Sequence, residues 1–148
     1  MIIGKINDTE INIPTSWGDV PYKSYIAFTK VNKPIEQVSV LTGVSIEQLE
    51  RLNAESLGAI LMAMSFTVEQ PNAYLDGASP IDIGRESYGK IEGAKALLQS
   101  TETPLDVIIP IMKLYTGVDY SDMPTDIVHP IGAFFLLSCL SSLNDIKD

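Results

Sequence analysis

The chain has 148 residues, 45% hydrophobic and 20% charged, which is enough apolar material for a packed core and excludes a disordered chain. A net charge of -9 with ten scattered basic residues excludes a phosphate-gripping nucleic-acid surface, which needs clustered Lys and Arg. A single cysteine, Cys139, excludes a disulfide framework, and one histidine beside it cannot build a zinc site.

The chain opens on two Ile-rich arms separated by "NDT", with Ile3, Lys5, Ile6, Ile11 and Ile13 as strand positions. Asn and Asp tolerate the left-handed conformations of a tight turn, so residues 2–13 are predicted to form a β-hairpin. Pro14 ends the second strand by removing a ladder donor. In "TSWGD", Asp19 is expected to cap the coming helix, and Trp17 to wedge the hairpin against the helices or to anchor an interface. A helix over about 21–30 follows, with Tyr22, Tyr25, Ile26 and Phe28 on its apolar stripe.

Pro34 opens the next helix, with Val38 and Leu41 inward, and Gly43 stops it. Ser45 and Gln48 form a capping box for a helix through Leu52, with Ile46, Leu49 and Leu52 on its buried side. Asn53 or Ser56 caps a helix containing "LGAILMAMSF", which is apolar almost all round and is therefore predicted to lie centrally. Met62 and Met64 in it read as core filler or as a groove for a partner. "EQPNAYLDGASP" is a linker.

Beyond the linker the pattern restarts. "KPIEQVSVLTGVS" and "TPLDVIIPIMKLYTGVD" each begin with Pro, an aliphatic residue and an acid, and each end in Thr-Gly-Val. From Pro to Gly the first spans nine positions and the second thirteen, a difference of about one helical turn. "IDIGRESYGKI" is expected to be a second hairpin, "EGAKALLQS" a short helix, and Thr103 with Asp106 a capping box. Pro110 should kink or split the second long helix. Pro130 is placed in the first turn of a final helix containing "IGAFFLLSCL", with His129 at its edge and a frayed tail, "NDIKD". The fold class is thus α+β, predominantly α. Two pseudo-repeated halves, 1–75 and 76–148, each a hairpin plus helices, would share one core in one compact unit.

Chemistry finds little purchase. A nucleophile elbow needs G-x-S-x-G, and Ser16 is flanked by Thr15 and Trp17. A triad of Ser16, His129 and an acid is kept only as a foil. The carboxylate pairs Asp119/Asp122 and Glu47/Glu50 read as solvated helix faces, and there is no Gly-rich phosphate loop or calcium loop. No catalytic, cofactor-binding or metal-binding residue is assigned. Cys139 reads as a small buried hydrophobe. The apolar stretches fall short of the ~20 residues a bilayer span needs, and the N-terminus lacks a signal-peptide layout, so no membrane role is expected.

"EINIPTSWGDVPYKSYIAF", "PIEQVSVLTGVSIEQLERL", a second hairpin and the closing "IGAFFLLSCLSSL" together resemble small morphogenesis proteins of tailed bacteriophages, most of all those of tail or head–tail assembly clusters. Pro21 departs from that pattern, where an ordinary helix-capping residue would be expected. The resemblance implies a non-enzymatic assembly protein in the host cytoplasm: a tail assembly chaperone covering apolar segments of tail proteins. The alternative it implies is a structural virion subunit of the neck, head–tail connector or tail, acting by oligomerisation with itself. Partners would be phage tail or neck proteins, with no nucleic acid, membrane or cofactor. Trp17, Tyr22, Tyr25, Met62 and Met64 are the candidate interface residues.

Overall fold

The structure is a computed structural model that describes residues 1–73, 88–99 and 104–147, with side chains to residue 136 except those of Tyr88 and Ile91. The chain divides into two compact units: Met1–Pro71 with Met123–Asp126, and Asn72–Asp122 with Ile127–Asp148.

In the first unit, strands β1 (Ile2–Ile6) and β2 (Thr9–Ile13) pair antiparallel, Ile2 facing Ile13 and Ile6 facing Thr9. The two-residue loop holds Asn7 and Asp8 at φ 49° and 65°, the left-handed pair whose twist matches that of the flanking strands. Alternation sends Ile6, Ile11 and Ile13 inward, and pairs Lys5 with Glu10 on the outer face. Four helices follow: α1 (Tyr22–Thr29), α2 (Pro34–Thr42), α3 (Ile46–Glu50) and α4 (Ala54–Ala63). Single 3₁₀ turns at Trp17–Asp19 and Ser65–Val68 precede α1 and follow α4.

Local chemistry explains these boundaries. Pro34 stands in the first turn of α2, where its missing N–H costs nothing. The Ser45 hydroxyl accepts from Gln48 N (3.2 Å) at the start of α3, and Asn53 Oδ1 accepts from Ser56 N (2.8 Å) at the start of α4. The core gathers Ile6 and Ile13 from the hairpin with Val38, Val44, Leu49, Ile60 and Met64. Met123–Asp126 joins this unit as a strap. Tyr22 N donates to Met123 O (2.9 Å), and Val20 O accepts both Thr125 N (2.9 Å) and the buried Thr125 hydroxyl (2.6 Å).

In the second unit, α5 (Tyr88–Gln99) packs on α6 (Leu105–Thr116). A Cβ at Gly93 would stand 3.2 Å from Leu114, so glycine lets these helices approach closely. Val107, Ile108, Ile111 and Met112 form the buried stripe of α6. On α7 (Thr125–Lys147), which begins in the strap, Val128, Gly132 and Leu136 are buried at four-residue spacing.

Both Thr-Gly-Val segments make the same helix stop. Gly43 and Gly117 adopt φ 76° and 75°, and their N–H groups reach Ser39 O (2.9 Å) and Lys113 O (2.8 Å). The Thr42 hydroxyl donates to Val38 O (2.7 Å) and accepts from Val44 N (3.3 Å). The Thr116 hydroxyl repeats this with Met112 O (2.7 Å) and Val118 N (3.2 Å).

Several expectations are corrected. Residues 88–91, expected as an arm of a second hairpin, are instead the first turn of α5, continuous with the helix expected from Glu92. The rest of that hairpin, the Thr103 cap and the Cys139 side chain lie outside the described residues. The remaining corrections concern prolines and exposed faces. Pro110 does not split α6, because the fully buried Ile108, Ile111 and Met112 hold the helix on both sides of the missing bond. Pro130 sits in the second turn of α7, not the first, since the helix begins at the anchored Thr125 with Asp126 at its positive end. His129 is correspondingly buried within the helix. The expected central position of "LGAILMAMSF" is also wrong: Leu61 and Met62 face solvent, while Leu57, Ile60, Ala63, Met64 and Phe66 turn to the core. Ile46 is exposed because only Leu49 of the short α3 reaches the interior.

Candidate functional site

The corner after the hairpin is built backward from Asp19. Asp19 Oδ2 accepts from Thr15 N (3.0 Å) and the Thr15 hydroxyl (3.2 Å), and lies 3.0 Å from the terminal amino group. It therefore closes its own turn rather than capping α1. The Thr15 N–H above all, and then the amino group, hold its carboxyl below the usual range. Ser16 is exposed with ordinary extended backbone (φ −154°, ψ 164°), so the strained corner that a nucleophile elbow requires is absent there.

That turn aims Trp17 inward. The ring meets Tyr25 at 5.2 Å, Phe28 at 5.5 Å and Phe66 at 5.0 Å, each edge to face. The indole Nε1 donates to Glu69 O (2.9 Å). Trp17 thus clamps the turn after α4 to α1. Burial pushes the Tyr22 phenol up, with Tyr25 adding a smaller push, and burial raises Tyr25 too. Both remain neutral phenols.

Of the candidate interface residues, Trp17, Tyr22, Tyr25 and Met64 are buried, whereas Met62 is 79% exposed. Leu61 (40%) and Val68 (87%) share its exposure. Val68, missed in the sequence, sits in the 3₁₀ turn whose end is pinned by Trp17. Leu61 and Met62 stand in the last turn of α4, and Val68 ends the 3₁₀ turn that follows Met64. Glu55 lies a turn and a half to two turns before Met62, and Glu69 adjoins Val68; both are exposed.

Glu47 and Glu50 are exposed, and Glu47 pairs with Arg51 at 2.6 Å. Asp119 and Asp122 lie in a turn instead of on a helix, with Asp119 Oδ1 accepting from Ser121 N (2.9 Å). Among the described residues no three His, Cys, Asp or Glu side chains come together as metal ligands, and no helix is long and apolar enough to cross a membrane. Comparison with family models, curated proteins and solved structures finds no match to this chain.

Proposed function

We propose that this chain is a non-enzymatic bacteriophage assembly protein, a tail assembly chaperone that binds apolar segments of tail proteins in the host cytoplasm. The supporting observation is three solvent-facing apolar residues close in the chain: Leu61 and Met62 at the end of α4, and Val68 in the following turn, which Trp17 braces. Single exposed apolar residues are ordinary on a protein surface, but three within eight positions of the chain, beside a turn held by Trp17, suit a binding role. Met62 adds an unbranched, adaptable side chain fitted to segments of varied sequence. Acidic charge keeps such a surface dispersed between encounters.

Quantitative mass spectrometry of purified mature particles and of assembly-stage extracts tests the reading. The chain is expected in the extracts and absent from the particles. A fixed copy number per particle would replace the chaperone with a structural subunit of the neck, connector or tail.

A further inference from the structure

The apolar end of α4 carries a charge pattern as well as a shape. Between Ser45 and Gln70 the chain places Glu47, Glu50, Glu55 and Glu69 against one base, Arg51, and that base is tied to Glu47 at 2.6 Å. Along the chain the exposed Glu55, in the first turn of α4, precedes Leu61 and Met62, and the exposed Glu69 follows Val68, so the three apolar residues lie between acids. A second copy of this chain would set Glu55 and Glu69 against its own acids, and the net charge of -9 adds to that repulsion. A cation-bearing partner gains at both ends.

We propose that this surface docks a basic amphipathic segment of a partner protein. Its apolar face covers Leu61, Met62 and Val68, and its Lys or Arg side chains reach Glu55 and Glu69. The inference rests on the binding role proposed above and adds the chemistry of the partner. Trp17 acts here as a positioning residue, holding the turn through Glu69 O without touching the segment.

The probe is a labelled synthetic helix of Leu and Lys at amphipathic spacing, titrated into the full chain by fluorescence anisotropy. A Leu/Glu peptide and a Ser/Lys peptide serve as counterparts. The Leu/Lys peptide should bind at least about tenfold more tightly than either. Met62→Asp with Val68→Asp should weaken it by at least about tenfold with the thermal midpoint unchanged, because both side chains are mostly in water. Glu55→Lys with Glu69→Lys should weaken it and flatten its salt dependence.

Failure of the Leu/Lys peptide to bind overturns the proposal, as does equal binding of the Leu/Glu peptide. Binding unchanged by Met62→Asp with Val68→Asp overturns the surface assignment while leaving the general binding role standing. Sedimentation showing a dimer that Met62→Asp dissociates would assign the surface to a second copy instead. The particle census judges the chaperone reading independently of all these outcomes.

Discussion

Replacing Trp17 by Phe isolates what the corner contributes. Phenylalanine keeps an aromatic ring among Tyr25, Phe28 and Phe66 but removes the indole N–H that reaches Glu69 O at 2.9 Å. The lost hydrogen bond costs about 0.5–1.5 kcal/mol, toward the low end because the exposed Glu69 lets water reach its carbonyl. The smaller ring leaves a partial cavity at a site only 9% exposed, costing about 1–2 kcal/mol more. The sum, about 1.5–3 kcal/mol, lies below the ~3–5 kcal/mol expected for Trp17→Ala, which also deletes three edge-to-face contacts. Urea unfolding followed by far-UV circular dichroism measures both variants. Trp17 is the only tryptophan, so wild-type emission reports this corner alone and should be blue-shifted and poorly quenched by iodide. Free iodide quenching in the native protein, or a Trp17→Phe midpoint equal to wild type, would refute the clamp.

Thr125→Val should cost about 1 kcal/mol in urea unfolding, since it deletes the hydroxyl bond to Val20 O but keeps the backbone one, whereas Thr125→Ser should retain most of the stability. Gly43→Ala and Gly117→Ala should each cost about 1–2 kcal/mol, because a side chain is strained at φ 76° and 75° while open space surrounds both sites; sharply unequal costs would deny that the two stops are equivalent. His129 is buried and its pKa is lowered by that burial, so the unfolded chain takes up the proton first as pH falls. Its stabilising contribution should therefore be complete above pH ~6.5 and decline below it. His129→Gln should remove that segment of the stability–pH curve, and a wild-type curve flat from pH 7 to 5 would contradict it. The Asp19 carboxyl is held low chiefly by Thr15 N–H, so its contribution should persist down to pH ~4 and fade as pH drops through the lowered folded value, a loss that Asp19→Asn abolishes.

Much of the first unit was legible because its determinants are local. Asn7-Asp8 specifies the hairpin loop, Ser45 and Asn53 specify helix starts, and Gly43 and Gly117 specify stops, each through bonds spanning a few residues. The errors arose where a distant partner decides. "LGAILMAMSF" offers apolar side chains on every face, and nothing in it says that Ile60 meets the hairpin while Met62 meets water. Thr125 begins α7 early because Val20, more than a hundred residues upstream, captures it; "PTD" in the sequence carried the signal. Trp17 shows the same limit. Its partners Phe66 and Glu69 are separated from it by about fifty residues, so an interior clamp and an exposed anchor read alike in "TSWGD". The exposed Val68 was overlooked because one valine outside a periodic segment gives no pattern.

Amide hydrogen exchange of the full chain, with and without a saturating Leu/Lys peptide, tests the binding account most directly. The account predicts slowed exchange confined to the end of α4 and the turn through Glu69, absent in Met62→Asp with Val68→Asp. Protection confined to the hairpin or to α6, or none in this segment, would contradict it.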